Sequence, residues 1–210
     1  MNDNNDIIIR KATRADDLIR ISELIYGVDP YIYPYWFNSL EECKKILPKL
    51  LLQDKFIFNI DTFYLAIDQI KERIIGVASL IDSYFGLDYD YTELLNYNDR
   101  FNYTIKNYIY PMIDNIKLKN AACLTNMCVD KDYRNRHVGL KLLGIAINDY
   151  INSKNNISDT IEFDVLADNV SAIHLYKHLG FIQVGGVEKG FNGPGLEPPN
   201  VIYMKKQCKQ

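Results

Sequence analysis

The sequence predicts a single α/β domain in which helices cover both faces of a mixed β-sheet. Three observations support this prediction. Strand-like and helix-like segments follow in the order β-α-α-β-β-β-α-β-α-β-β, with an irregular insert after the third strand. The 210 residues and the 48% hydrophobic content suffice for one sizeable core. Residues 1–210 contain no repeat, low-complexity tract or linker at which a second domain would begin.

The first quarter of the chain predicts one strand and two helices. The β-branched run Ile7–Lys11 predicts the strand. Apolar residues at helical spacing, behind a Thr or Asp cap, predict a helix that Gly27 ends. Two prolines within residues 28–37 argue against a continuous helix there. A second helix is expected from Ser39 to about Gln53, and Pro48 is expected to kink or split it.

The rest of the chain predicts six strands and two clear helices around a tyrosine-rich insert. Compact apolar runs bounded by polar residues predict the strands, and an amphipathic stripe predicts each helix. In order, these elements are a hairpin of strands 63–68 and 73–82, an insert at 83–119 that is partly helical around 102–113, strand 121–129, helix 138–151, strand 160–166, helix 169–179, and two closing strands within 181–191 and 201–206.

Composition excludes several classes of function. The formal net charge is −3, from 24 basic and 27 acidic residues, and general nucleic-acid binders or anionic-membrane binders carry a basic excess instead. No signal peptide and no apolar stretch of about 20 residues is recognisable. The cysteines lack zinc-site spacing, so we expect no metal and reduced thiols in a cytoplasmic protein. They are Cys43, Cys123, Cys128 and Cys208.

Residues 132–143, DYRNRHVGLKLL, concentrate positive charge at the start of a helix. Arg134, Arg136 and His137 fall within four positions, and Gly139 opens an apolar run. A helix N-terminus offers unpaired N–H groups and a positive dipole, which together suit an anion. A solvated helix entry would give the same pattern. The residues alone leave both interpretations open.

Four segments resemble the GNAT superfamily of acyl-CoA-dependent N-acetyltransferases. They are IIIRKATRADDL, MCVDKDYRNRHVGLKLL, DVLADNVSAIHLYKHLGF and the closing IYMKK. The second is similar to the family's acyl-CoA motif and the third to its Asn-x-x-Ala-x-x-x-Tyr motif. The resemblance implies the GNAT α/β (α+β) fold: a mixed, mostly antiparallel sheet of six to seven strands with helices on both faces, plus a helical insert at about 83–119. It also implies an acyltransferase enzyme that uses acetyl-CoA.

The resemblance assigns the acetyl-CoA contacts to two motifs. The strand ending at Val129 is expected to hold the pantetheine arm through its backbone, and the next turn is expected to cradle the pyrophosphate. His137 stands where the family usually has glycine, so its backbone should be helix-like and its ring turned from the phosphates. The residues implied in cofactor binding are Met127, Cys128, Val129, Arg134, Asn135, Arg136, His137, Val138, Gly139, Asn169 and Tyr176.

The resemblance also implies two catalytic residues. Tyr176 is expected to protonate the departing thiolate, because a phenol with an ordinary pKa near 10 suits that proton transfer; a core aromatic is the alternative. Asp164 is expected to take the proton of the amine, with Glu162 on the same strand face. Surface ion pairing would explain either carboxylate equally well.

The acceptor is expected to be a primary amine of a small molecule or peptide. Asp29, Tyr33 and Trp36 are predicted to bind it, together with the insert and the nearby Asp82 or Asp88, because aromatic walls beside carboxylates suit an ammonium. The same aromatics would equally pack a lid or a dimer contact, so a homodimer stays open. Two alternatives remain: a non-catalytic acyl-CoA-binding regulatory domain of the same fold, and transfer of another acyl group.

Overall fold

The computed structural model describes residues 6–54, 56–81, 99–153 and 158–208, and only the backbone at residues 113 and 116–118. The helices and strands closely follow the predicted elements. They are β1 (Ile7–Lys11), α1 (Leu18–Tyr26), α2 (Ile32–Phe37), α3 (Leu40–Leu51), β2 (Phe63–Asp68), β3 (Arg73–Ile81), α4 (Asp99–Thr104), α5 (Tyr110–Lys119), β4 (Ala121–Val129), α6 (Val138–Asn152), β5 (Thr160–Leu166), α7 (Val170–His178), β6 (Ile182–Lys189) and β7 (Asn200–Gln207).

Short irregular turns complete the described elements. Single 3₁₀ turns lie at Ile60–Thr62 and Lys131–Tyr133, and a π-helical turn, Ile105–Ile109, joins α4 to α5. The helix expected around residues 102–113 is therefore present and longer. The first part of the insert, with Asp88, lies outside the described residues, and so does Asp82 just before it.

One sheet contains all seven described strands, in the order β1-β2-β3-β4-β5-β7-β6. The pairs β1–β2, β2–β3, β5–β7 and β6–β7 are antiparallel, and β4–β5 is parallel. The parallel register joins Ala121–Cys123 to Thr160–Glu162. The predicted mixed, mostly antiparallel sheet with helices is confirmed.

The chain forms two compact units. Unit 1 comprises Met1–Leu80 and Thr125–Lys154, and unit 2 comprises Ile81–Leu124 and Asn155–Gln210. Strand β4 therefore contributes its first four residues to unit 2 and its last five to unit 1. The single domain expected for residues 1–210 stays a prediction.

In unit 1, α1 packs against α3, and α6 packs against β1 and β2. Asp17 caps α1 by accepting the N–H of Arg20, and Ser39 caps α3 by accepting the N–H of Glu42. The predicted cap and the end of α1 at Gly27 are thus confirmed.

Pro34 and Pro48 of unit 1 both lie inside helices. Pro34 lies in the first turn of α2, where the missing N–H would have no helical partner. Residues 32–37 therefore form a helix, whereas residues 28–31 do not, so the expectation that residues 28–37 are not one continuous helix is confirmed. Pro48 lies inside α3, which continues to Leu51 and is not split. Leu47 and Leu50 on either side of it are fully buried, and this packing compensates for the lost hydrogen bond.

In unit 2, α7 covers one face of β5. The Phe163 ring on β5 lies 4.6 Å from the Tyr176 ring and 5.1 Å from the Phe181 ring, centroid to centroid. The helical insert contacts the β6–β7 loop, where the Tyr103 hydroxyl donates to the carbonyl of Asn192 at 3.2 Å. Within the described parts of the chain, no helix is both long and apolar enough to cross a bilayer.

Candidate active site

The turn after β4 is anchored by Asp130 at its start. This buried carboxylate accepts the N–H of Asp132 at 3.1 Å and pairs with Arg20 of α1 and, at 3.1 Å, with Arg73 of β3. Burial opposes the charge, but the N–H and the two guanidinium groups outweigh it and lower the pKa of Asp130. The end of β4 is thereby tied to two other elements of unit 1.

Tyr133 provides a second anchor in the same turn. Its ring is buried, and its hydroxyl donates to Asp68 at the end of β2 over 2.6 Å. The Lys71 ammonium and the Arg136 guanidinium lie 5.1 and 5.4 Å from the ring centroid, which is cation–π distance. Arg136 is thus held against Tyr133. Tyr133 could not be singled out from the sequence, because Asp68 and Lys71 lie more than 60 positions away at the end of β2 and in the β2–β3 turn.

The residues between the anchors and α6 adopt an unusual backbone. Asn135 has φ 60° and His137 has φ 59°, both left-handed. The helix-like backbone expected at His137 is therefore wrong: the histidine holds the conformation that glycine adopts freely. Its side chain is exposed and makes no capping hydrogen bond to α6. Left-handed residues alternating with others turn successive N–H groups toward one concave side, which favours anions.

The predicted phosphate-binding residues lie together at this helix start. Arg134 to His137 are exposed, and the Arg134 Nε donates to the carbonyl of Val129 at 3.1 Å. Val138 and Gly139 are buried as the first turn of the 15-residue α6. A small cavity of about 60 Å³ adjoins them, lined by Ile7, Arg136, His137, Val138 and Lys141. Two cationic side chains and a helix N-terminus thus surround one space.

A row of buried or half-buried polar side chains runs through unit 1 at β4. The Tyr33 hydroxyl donates to the Asn126 Oδ1 at 2.5 Å, and both side chains are almost wholly buried. Beside Asn126, the Thr125 hydroxyl donates to Ser79 at 3.2 Å, which in turn lies 2.8 Å from the Thr62 hydroxyl. The sequence interpretation missed this row. Its available signal was the polar pair Thr125–Asn126 inside the apolar strand AACLTNMCV.

The β4 residues predicted to hold the pantetheine arm are the last three residues of that strand. Cys128 is buried, whereas Met127 and Val129 are half-buried, as alternation along a strand requires. Burial raises the pKa of Cys128 against the influence of Arg134, which keeps the thiol protonated. Cys128 is therefore a neutral thiol packed in the core. Cys43, Cys123 and Cys128 carry free thiols.

The predicted acceptor residues of unit 1 are enclosed. The Asp29 carboxylate accepts the N–H groups of Tyr31 and Ile32 at 2.6 and 2.8 Å, so it caps the start of α2. Burial raises the pKa of Asp29 against those two hydrogen bonds. Tyr33 and Trp36 are 3% and 1% exposed and meet edge to face at 5.4 Å. An acceptor would reach these rings only if α2 moved.

Unit 2 places Tyr176 and Asn169 on α7. Asn169 caps the helix by accepting the N–H of Ala172 at 3.2 Å, and its predicted contact with the cofactor stays a prediction. Tyr176 is 6% exposed and packs on Phe163 and Phe181. This packing fixes the direction of its phenol. A role in proton transfer stays a prediction.

Asp164 lies on the other face of β5. Phe163 faces α7, and successive side chains of a strand point to opposite faces. The half-buried Asp164 is therefore separated from Tyr176 by the strand itself. Glu162, on the same face as Asp164, is bonded by Lys119 at 3.1 Å and Lys205 at 2.9 Å. Burial opposes its charge, but the lysines lower the pKa of Glu162, so ion pairing accounts for Glu162.

Other titratable groups give no second centre among the described residues. His174 and His178 are exposed on α7. No group of three or more His, Cys, Asp or Glu in the part of the chain that the structure describes could hold a metal ion.

Comparison with known proteins gives one family. The pattern of the family described as "Acetyltransferase (GNAT) family" matches residues 30–181. No curated protein is similar enough in sequence to match the chain.

Solved structures share the fold over almost the whole chain. The spermidine N-acetyltransferase SpeG N152L mutant from Vibrio cholerae is 18% identical with a TM-score of 0.59, covering 98% of this chain and 95% of that one. The putative acetyltransferase yncA from Salmonella typhimurium, solved with its cofactor acetyl-CoA, is 16% identical with a TM-score of 0.56 and coverage of 98% and 96%. The NatC complex bound to Gag peptide and CoA is 15% identical with a TM-score of 0.57 and coverage of 96% and 98%. At these identities the likeness concerns the fold alone.

Proposed function

The chain belongs to the GNAT family of acetyltransferases and is a transferase enzyme, and from this premise we propose that it moves an acetyl group from acetyl-CoA to a primary amine. The observation that carries the proposal is the backbone at Asn135 and His137, left-handed at both residues directly before α6. The nest of N–H groups and the helix dipole suit the pyrophosphate of CoA. The similar structures solved with acetyl-CoA or bound to CoA support this choice of cofactor.

Two cationic groups add to this site from fixed positions. Arg134 is tied to the Val129 carbonyl through Nε, and Arg136 is held on the Tyr133 ring. Asp130 and Tyr133 keep the turn in place through β2, β3 and α1. The turn is therefore ordered before any cofactor arrives, which lowers the entropic cost of binding. The backbone of Met127 to Val129 would pair with the pantetheine arm, and its N–H groups would polarise the thioester carbonyl.

The proposed reaction is a direct transfer with balanced proton movement. The amine nitrogen forms a bond to the acetyl carbon as the carbon–sulfur bond breaks, and the products are the acetamide and CoA thiol. Asp164, directly or through water, takes the proton that the amine loses, and Tyr176 gives its proton to the departing thiolate. Because β5 separates Asp164 from α7, the proton would reach Asp164 through water, while Tyr176 acts on the sulfur from the side of α7.

Binding of acetyl-CoA to purified protein tests the cofactor site. Calorimetry should show affinity that weakens with salt, because the contacts are ionic. Arg134→Glu should weaken it further, whereas Lys49→Glu, on the distant helix α3 of unit 1, should not. Absence of measurable acetyl-CoA binding by the wild type would remove the assignment.

Turnover with a competent amine tests the chemistry. Tyr176→Phe should lower kcat by about 10²–10⁴ while leaving the affinity for CoA nearly unchanged. Phenylalanine fills almost the same volume against Phe163, so a packing role predicts a kcat close to wild type instead. An unchanged kcat would refute the acid role of Tyr176.

The cytoplasmic location belongs to the same proposal and is supported by the free thiols of Cys43, Cys123 and Cys128. The proposed acceptor class is a primary amine of a small molecule or peptide, and the similarity to a spermidine N-acetyltransferase and to the NatC complex bound to Gag peptide supports it.

A further inference from the structure

One face of the unit 2 sheet carries a row of side chains that the proposed chemistry uses only at one end. Asp164 of β5 pairs with Tyr203 of β7, which pairs with Val184 of β6. Directly paired residues of antiparallel strands share a face of the sheet. The neighbouring pair Glu162 and Lys205 obeys this rule, since their side chains form an ion pair at 2.9 Å. The row therefore lies on the face away from α7.

The face is open to solvent beside Asp164. Tyr203 is 39% exposed, Val184 is 45% exposed and Ile182 is 65% exposed. Each large apolar side chain left in contact with water loses the stabilisation that burial would supply. The three form an aromatic and aliphatic shelf on the two outermost strands, next to the proposed base.

A second carboxylate stands at the far end of this shelf. Glu188 of β6 pairs with Val201, two residues from Tyr203 on β7, and so shares the same face. Burial raises the pKa of Tyr203, and Asp164 and Glu188 raise it further, so both carboxylates act on one phenol. From two strand spacings and a two-residue offset, the Cα atoms of Asp164 and Glu188 are about 12 Å apart.

We propose, resting on the acetyltransferase function above, that this face binds the acceptor as a linear aliphatic diamine. The amine to be acetylated lies at Asp164, the methylene chain crosses Tyr203 and Val184, and the second ammonium lies at Glu188. Charge complementarity sets the direction in which the diamine lies across this face. Glu162 already pairs with Lys119 and Lys205, so that side of Asp164 offers two cations and repels an ammonium.

Each contact of the proposed site is modest because the face is exposed. An exposed ion pair and an exposed cation–π contact contribute up to about 1 kcal/mol each, or about a fivefold change in affinity. The two ammonium groups therefore distinguish a diamine from the monoamine of equal chain length by about fivefold. Glu188 and Tyr203 would thus be specificity-determining residues.

Equilibrium binding tests the inference without requiring turnover. Calorimetry compares 1,6-diaminohexane with hexylamine, in the presence of CoA, on the full chain. The wild type should bind the diamine about fivefold more tightly. Glu188→Gln should remove this preference, Tyr203→Phe should retain it, and Tyr203→Leu should weaken both amines by about two- to fivefold. Glu41→Gln removes an exposed carboxylate from α3 of unit 1 and serves as the matched control.

The outcomes separate this inference from the function on which it rests. Three results would overturn the diamine site. They are equal affinity of the wild type for the two amines, an equal loss of affinity for both amines in Glu188→Gln, and tighter binding of a peptide with an N-terminal alanine than of the diamine. The absence of binding by either amine would overturn it as well. Failure of every amine to release CoA from acetyl-CoA would overturn the acetyltransferase chemistry, whatever the calorimetry shows.

Discussion

Replacing His137 by glycine should make the protein more stable, although a glycine usually does the opposite. A left-handed conformation costs a residue with a Cβ about 1–2 kcal/mol, and His137 has φ 59° and ψ 9°. Glycine removes that cost but adds about 0.5–1 kcal/mol of backbone entropy lost on folding. The free energy of unfolding should therefore rise by about 0.5–1 kcal/mol. In a chain of this length, that raises Tm by about 2 °C.

Thermal and urea unfolding followed by circular dichroism measure this change, and His137→Ala is the control. Alanine keeps the Cβ and so keeps the backbone cost. It also removes an exposed ring that makes no capping bond, so its stability should stay within about 0.5 kcal/mol of wild type. Glycine should also leave turnover intact and keep or tighten acetyl-CoA binding, because the proposed contacts to the pyrophosphate come from backbone N–H groups and not from the imidazole.

Two results would refute this reasoning. If alanine stabilised as much as glycine, the gain would come from removing the ring and not from relieving the backbone. If glycine lowered the stability, the left-handed turn would not be strained in solution. A large loss of turnover in His137→Gly would show instead that the imidazole takes part in the reaction.

Three further changes test other parts of the site. Tyr33→Phe should cost about 1–3 kcal/mol because the buried Asn126 oxygen loses its donor, whereas Tyr103→Phe, at an exposed hydrogen bond, should cost much less; equal urea midpoints would contradict this. Asp130→Asn should cost about 2 kcal/mol at neutral pH, because Arg20 and Arg73 both lose this carboxylate while Arg20 keeps its ion pair with Glu23. The pKa of Asp130 is lowered in the folded state, so its contribution to stability is complete above the unfolded value near 4 and is lost as pH falls through the folded pKa. The variant should therefore lose less stability on acidification than the wild type. An equal loss in both proteins would contradict this prediction. Asp164→Asn should remove the acidic limb of the pH–rate profile, and survival of that limb would place the base elsewhere.

The parts of the fold that the sequence predicts well are those set by neighbours in the chain. The cap at Asp17 and the end of α1 at Gly27 depend on residues within one turn. The prolines show that the effect of a proline depends on its position in the helix. The rule against proline concerns a donor in the helix interior, and Pro34 sits where no donor is used.

The arrangement of the candidate site depends on pairings that a single sequence does not reveal. Tyr33 and Asn126 are 93 positions apart and meet only because α2 packs near β4 in unit 1. The pattern of alternation separates Asp164 from Phe163, but the contact between Phe163 and Tyr176 is needed to tell which face belongs to α7. The left-handed backbone at His137 was also missed, because only a few per cent of residues other than glycine take that conformation, although histidine is among those that take it more often.

The linked hydroxyls of Thr62, Ser79 and Thr125 have a consequence for how this chain can evolve. The buried Ser79 hydroxyl lies between the other two, Thr62 also donates to the carbonyl of Asn59, and Thr125 also donates to the carbonyl of Ser79. Each hydroxyl therefore keeps a partner when one of the other two is lost, so a single substitution should cost only about 1 kcal/mol, the contribution of one hydrogen bond. The three positions can thus change one at a time without a compensating substitution, and they are expected to vary independently among descendants.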